Sequence, residues 1–160
     1  MLNRIFPEQL DNNYHGYKLA LWIFGLLLLM KLGISLSSIF DTHNVVRSAD
    51  GIPLDTFTSG GAATVVSVTA LLGLSQLLLA SLGVLALIRY RAMIPFMYVL
   101  FLVEYFAKKW IQLVKPIIRI GTPPATYVNV LLIALLLAGL VLSLRRPTSR
   151  KSQAPSKLFI

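Results

Sequence analysis

The sequence predicts an all-α fold: a polytopic membrane protein whose four transmembrane helices form an antiparallel bundle, with both termini cytoplasmic. Three observations predict it. Apolar residues fill 56% of the 160 positions, with a mean hydropathy of +0.75. Charged residues fill 13%, against about a quarter in a soluble domain. The apolar residues also fall in four long runs, each near the roughly 20 residues that span a hydrocarbon core of about 30 Å. Little chain is left for a soluble domain.

Residues 1–16 read as an N-terminal cytoplasmic segment. Arg4, Glu8 and Asp11 lie among polar residues broken by Pro7 and Gly16. A leader of this length with acids, ahead of an apolar run longer than a signal core, predicts a retained start. Leu2, Ile5, Phe6 and Leu10 could form a short interfacial turn. The transmembrane domain covers residues 17–144. Its first helix is expected over about 17–40, with Tyr17, Trp22 and Phe40 at the interfaces. An outer loop follows over 41–62, with Asp50-Gly51 and Pro53 as turn signals.

The second helix is expected over 63–88. Ala63/Ser67 and Thr69/Gly73 offer close approach to a neighbour. Only Arg89, Tyr90 and Arg91 separate it from the third, which begins at Ala92, so the two should be antiparallel neighbours. The third helix is expected over 92–115, with Pro95 in the first turn where its missing N–H costs little. The outer loop over 116–126 contains Pro116, Gly121 and Pro123-Pro124. The fourth helix, over 127–144, is the most uniformly apolar, with Ala134/Ala138 and Gly139/Ser143 as packing pairs. Residues 145–160 read as a disordered basic tail.

Orientation follows the Lys/Arg distribution. One side collects Arg4, Lys18, Arg89, Arg91, Arg145, Arg146, Arg150, Lys151 and Lys157. The other collects Arg47, Lys115 and Arg119, joined by Lys108 and Lys109 if these snorkel. The richer side is expected in the cytoplasm, and the location is a cell membrane, most simply a bacterial inner membrane.

Polar groups inside the runs are the candidate site. Counting from the cytoplasmic ends, Lys31 and Glu104 come at similar depth on two helices running the same way, and Gln76 also falls near the middle. A lone charge at the bilayer centre costs on the order of 3 kcal/mol, so Lys31 and Glu104 are expected to pair, with Gln76 hydrogen-bonded nearby. Glu104, Lys108, Gln112 and Lys115 follow one another at intervals of four, four and three, which lines them along one helical face. Lys108, Lys109, Lys115 and Arg119 could bind a lipid headgroup, or could be no more than an interfacial anchor beside Trp110.

Several classes are excluded. The chain has no cysteine, which removes dithiol chemistry, Cys-ligated zinc and iron–sulfur clusters. The net charge of +9 is first a matter of topology and lipid contact, and without stacking aromatics or a recognisable fold the tail does not indicate nucleic-acid binding. Asp41, His43, Asp50 and Asp55 match no calcium loop. No catalytic motif, metal site or cofactor site is expected. The expected partners are membrane lipids, with anionic lipid at the tail, and a second copy or another membrane protein. The leading functional expectation is a non-enzymatic scaffold or accessory subunit. The alternatives are a small carrier or channel around Lys31, Gln76 and Glu104, and a headgroup-binding protein.

Overall fold

A computed structural model describes Ile5 and residues 11–145. The expectations for most of residues 1–10 and for the basic tail lie outside these. Among the described residues the chain is helical, with no strand. Four long helices dominate: α1 (Lys18–Phe40), α2 (Ser59–Arg89), α3 (Ile94–Val114) and α4 (Pro124–Leu144). Three of them, α1, α2 and α4, are long and apolar enough to cross a membrane, with mean hydropathies of 2.2, 2.3 and 2.5. The remaining helix, α3, has 21 residues and carries Glu104, Lys108 and Lys109 in its second half.

Two helices begin earlier than expected. α2 starts at Ser59 because the Thr58 side chain caps it, its hydroxyl accepting the Gly61 N–H at 3.2 Å. Gly60-Gly61 is therefore helical rather than a break. α4 starts at Pro124, because a proline is tolerated in the first helical turn. α3 is preceded by a 3-10 turn, Arg91–Met93, which takes up the first two residues of the span expected to be α-helix.

The connection between α1 and α2 is a folded cap. The chain passes through a short helical turn (Thr42–Asn44), a π-helical turn (Val45–Ala49) and a 3-10 turn (Leu54–Thr56). These bury Val46, Ile52 and Leu54 against Ala62, Val65 and Val66 at the start of α2. Gly51 has a left-handed backbone (φ 67°) and accepts the Ile120 N–H at 2.8 Å. A side chain there would press on the Ile120 carbonyl and on Pro123. The α1–α2 and α3–α4 connections are thereby joined.

α1 is the central helix, packing along α2 and against α4, while α4 also packs on α3. Its buried stripe is Ala20, Phe24, Leu27, Leu28, Lys31, Ser35 and Ser38, a helical spacing that is apolar at the first half and polar at the second. Small residues set the α1–α2 contact: a methyl group added at Gly73 would meet Ser38, and one at Gly83 would meet Leu28 and Phe101. Gly139 of α4 lies directly under the Tyr98 ring. Gly73, Gly139 and Ser143 are thus contact residues as the spacing suggested, whereas Ala63, Ser67, Ala134 and Ala138 are exposed.

The main core gathers around Phe24, Tyr98 and Phe101. Phe24 meets Tyr98 edge-on at 5.1 Å and stacks on Phe101 at 5.8 Å. The Tyr98 hydroxyl donates to the Ala20 carbonyl at 2.7 Å. Outside this core, large apolar side chains are left uncovered on every long helix, among them Trp22, Leu29, Leu71, Ile88, Trp110 and Val130. Exposed apolar surface of that extent fits hydrocarbon rather than water.

Candidate functional site

Lys31 comes from the buried stripe of α1, Glu104 and Lys108 from adjacent turns of α3. Both helices run the same way and their rings interlock at Phe24, Tyr98 and Phe101. That packing brings Lys31 level with Glu104: Nζ donates to Oε2 at 2.7 Å, with Lys31 2% exposed and Glu104 15%. The second carboxylate oxygen, Oε1, accepts from Lys108 Nζ at 2.5 Å. One carboxylate therefore serves two ammonium groups.

Aromatic rings close the site. Lys31 Nζ lies 4.9 Å from the centre of the Phe101 ring and 5.0 Å from that of Tyr105. Both distances allow cation–π attraction, which grows as water is excluded. The Ser35 hydroxyl donates back to the Lys31 carbonyl at 2.7 Å, and Thr42 does the same to Ser38 at 2.7 Å. Both hydroxyls are satisfied by carbonyls of α1 rather than by the ammonium.

Gln76 is not part of this cluster. The contacts of Gly73 with Ser38 and of Gly83 with Leu28 fix the α1–α2 register, which brings Ala80 level with Lys31 and Gln76 level with Ser35. Gln76 is half-buried and makes no side-chain hydrogen bond among the described residues. Counting from Tyr17 and Arg89 misplaced it, because α2 ends a turn or more above the start of α1.

The basic residues at and beyond the C-terminal half of α3 have different surroundings. Lys108 is held on Glu104, Lys109 and Lys115 are exposed, and Arg119 lies in the α3–α4 connection opposite Asp50. Of the polar line on α3, Glu104, Lys108 and Gln112 are half-buried while Lys115 is exposed. In the α1–α2 connection each acid has its own neighbour. Asp41 accepts from Asn44 at 2.8 Å, and Asp55 pairs with Arg47 at 2.9 Å. Burial pushes the Asp50 carboxyl up, partly offset by the Arg119 guanidinium. No group of three potential metal-ligating side chains occurs among the described residues.

At the opposite end, residues 11–17 tie α1 to its neighbours. Tyr17 N–H donates to the Leu142 carbonyl and Ala92 N–H to that of Asp11, both at 3.3 Å. Burial pushes the Tyr14 phenol up, with the Ser143 hydroxyl beside it acting the other way. Sequence reasoning missed this tie and also the aromatic enclosure of Lys31. The latter was readable in principle, since Phe101 and Tyr105 stand four residues apart on either side of Glu104.

No protein-family model, curated protein or solved structure matches this chain.

Proposed function

We propose that the chain is a non-enzymatic integral membrane protein, a scaffold or accessory subunit of the bacterial inner membrane that meets its partners within the bilayer. In this reading α3 crosses the membrane as well, completing a four-helix antiparallel bundle with both termini cytoplasmic. The observation that carries the proposal is the enclosure of Lys31 by one carboxylate and two rings at 2% exposure. A charge held in that way clasps α1 to α3 and leaves the ammonium no free face for a moving ion or substrate. α3 can span because its charges near mid-helix are paired, while Lys109 and Trp110 serve as an interfacial anchor. The basic tail lies against anionic lipid, at about 1 kcal/mol per Lys or Arg near the surface.

Two measurements test this. The chain has no native cysteine, so single replacements report their own position. Ser48→Cys and Thr122→Cys should react with an impermeant thiol reagent on intact cells, and Asn12→Cys and Arg91→Cys only after lysis. In proteoliposomes, wild type and Glu104→Gln should show the same proton and ion leak. A wild-type flux that Glu104→Gln abolishes would instead make this a small carrier or channel.

A further inference from the structure

Lys108 and Lys109 are adjacent in sequence and differ in circumstance. Lys108 is turned onto Glu104, whose carboxylate it shares with Lys31. At 3.6 residues per turn the next residue points about 100° away, so Lys109 leaves that row. It is exposed, and no acid among the described residues lies within ion-pair distance of it. It stands five residues before Val114, the last residue of α3, about 7.5 Å of helical rise from that end. A lysine stem reaches across such a distance and carries its ammonium to the headgroup level.

Lys109 also lines a shallow depression along α3, together with Val103, Phe106, Ala107, Trp110 and Leu113. The small Ala107 lies between the rings of Phe106 and Trp110, which are 54% and 69% exposed. No residue of α3 beyond Leu102 is buried, so no described segment of the chain covers this face. From Val103 to Leu113 the helix rises about 15 Å, half of a hydrocarbon core of roughly 30 Å. The depression therefore has the length of one leaflet. Its one cation and its indole stand toward the C-terminal end of α3, and the rest of it is apolar.

Resting on the reading that α3 spans the bilayer, we propose that this depression is a binding site for one anionic phospholipid. The headgroup phosphate pairs with Lys109, and an acyl chain lies along Ala107 toward Val103. Charge and length together select this occupant. Lys109 has no counter-ion of its own, and a lipid with a net negative headgroup supplies one. A zwitterionic headgroup brings its own cation to its phosphate and offers Lys109 less. An acyl chain confined to one leaflet matches the length of the apolar part. A second copy of the chain docked by the same face would set one Lys109 against another. Trp110 holds the depth of the site, its indole lying at the headgroup level beside Lys109.

The chain has two tryptophans, so Trp22→Phe in the full-length protein leaves Trp110 as the only indole, inside the proposed site. The protein is reconstituted in phosphatidylcholine vesicles with rising fractions of phosphatidylglycerol or phosphatidylcholine brominated on an acyl chain. Quenching of Trp110 reports which lipid lies against it. Brominated phosphatidylglycerol should displace phosphatidylcholine from the site about five-fold more effectively than its brominated phosphatidylcholine counterpart does. Lys109→Met should bring that ratio to one while melting and circular dichroism stay unchanged, and Lys115→Met should preserve it. A ratio of one before any lysine is changed, which is ordinary lipid contact, overturns the proposal. So does a ratio that survives Lys109→Met, or one that Lys115→Met abolishes equally, which would be a general attraction to basic residues. Trp110 unquenched by either lipid, with Thr122→Cys labelled on intact cells, means that protein fills the depression and overturns the proposal alone. The same result with Thr122→Cys unlabelled overturns the spanning reading as well.

Discussion

The ammonium of Lys31 lies 2.7 Å from the carboxylate of Glu104 across 73 residues of sequence. It joins two helices whose backbones scarcely touch, since α1 and α3 face each other across the packed helices while α2 and α4 fill the sides. Long side chains span that gap: the ion pair toward the C-terminal ends of the two helices and the Phe24, Tyr98 and Phe101 rings toward their N-terminal ends. The clasp and the aromatic core together set the depth at which α1 and α3 align.

Glycines separate tight contact from open surface. Gly139→Ala drives a methyl group into the Tyr98 ring, which Phe24 and the Ala20 carbonyl hold in place. Overpacking of this kind costs about 1–3 kcal/mol. Gly33→Ala on α1 meets nothing within 4 Å and should stabilise the helix by about 0.5–1 kcal/mol. Thermal unfolding in detergent checks both, and shifts of equal sign would contradict the packing described.

Tyr98→Phe removes only the hydroxyl that donates to the Ala20 carbonyl. The expected loss is about 1 kcal/mol, that of one buried neutral hydrogen bond, with the ring packing unchanged. A drop in melting temperature smaller than that of Gly139→Ala is the expected outcome of the same assay.

Asp50 gives the joined α1–α2 and α3–α4 connections a pH dependence. Burial raises its carboxyl above the ordinary range, and Arg119 only partly offsets this. The folded chain then holds the proton more tightly than the unfolded one. Stability from this group is fullest at or below the ordinary Asp range and falls as pH rises through the interval up to the raised value. Asp50→Asn should flatten that decline, and Arg119→Met should extend it to higher pH. Melting curves between about pH 3 and pH 7 measure it, and parallel profiles for wild type and Asp50→Asn would contradict it.

The sequence makes the helices legible because each apolar run is long and the turn residues between them are clear. It also makes the Lys31–Glu104 meeting legible: the two charges sit at equal distances along parallel helices, and hydrocarbon penalises them separately. Gln76 was misjudged because equal counts from the helix ends assume equal helix levels, and Gly73 and Gly83 set a different register. The cap over residues 41–58 escaped notice because its short turns have no periodic pattern; Val46, Ile52 and Leu54 look scattered until the π-helical turn gathers them. The sharing of one carboxylate by two lysines was half visible. The four-residue spacing of Glu104 and Lys108 shows in the sequence, but it does not say that Lys108 turns inward.

The most direct measurement is a double-mutant cycle on Lys31 and Glu104, read as thermal stability in detergent. Breaking a buried pair by removing one partner costs about 3–5 kcal/mol when the other charge is stranded. Lys31→Met leaves Glu104 with Lys108, whereas Glu104→Gln strands both lysines. Glu104→Gln should therefore be the more damaging single change, and the Lys31→Met/Glu104→Gln double variant should recover much of the loss. Single variants as stable as wild type, or losses that simply add, would contradict the claim that this pair clasps α1 to α3.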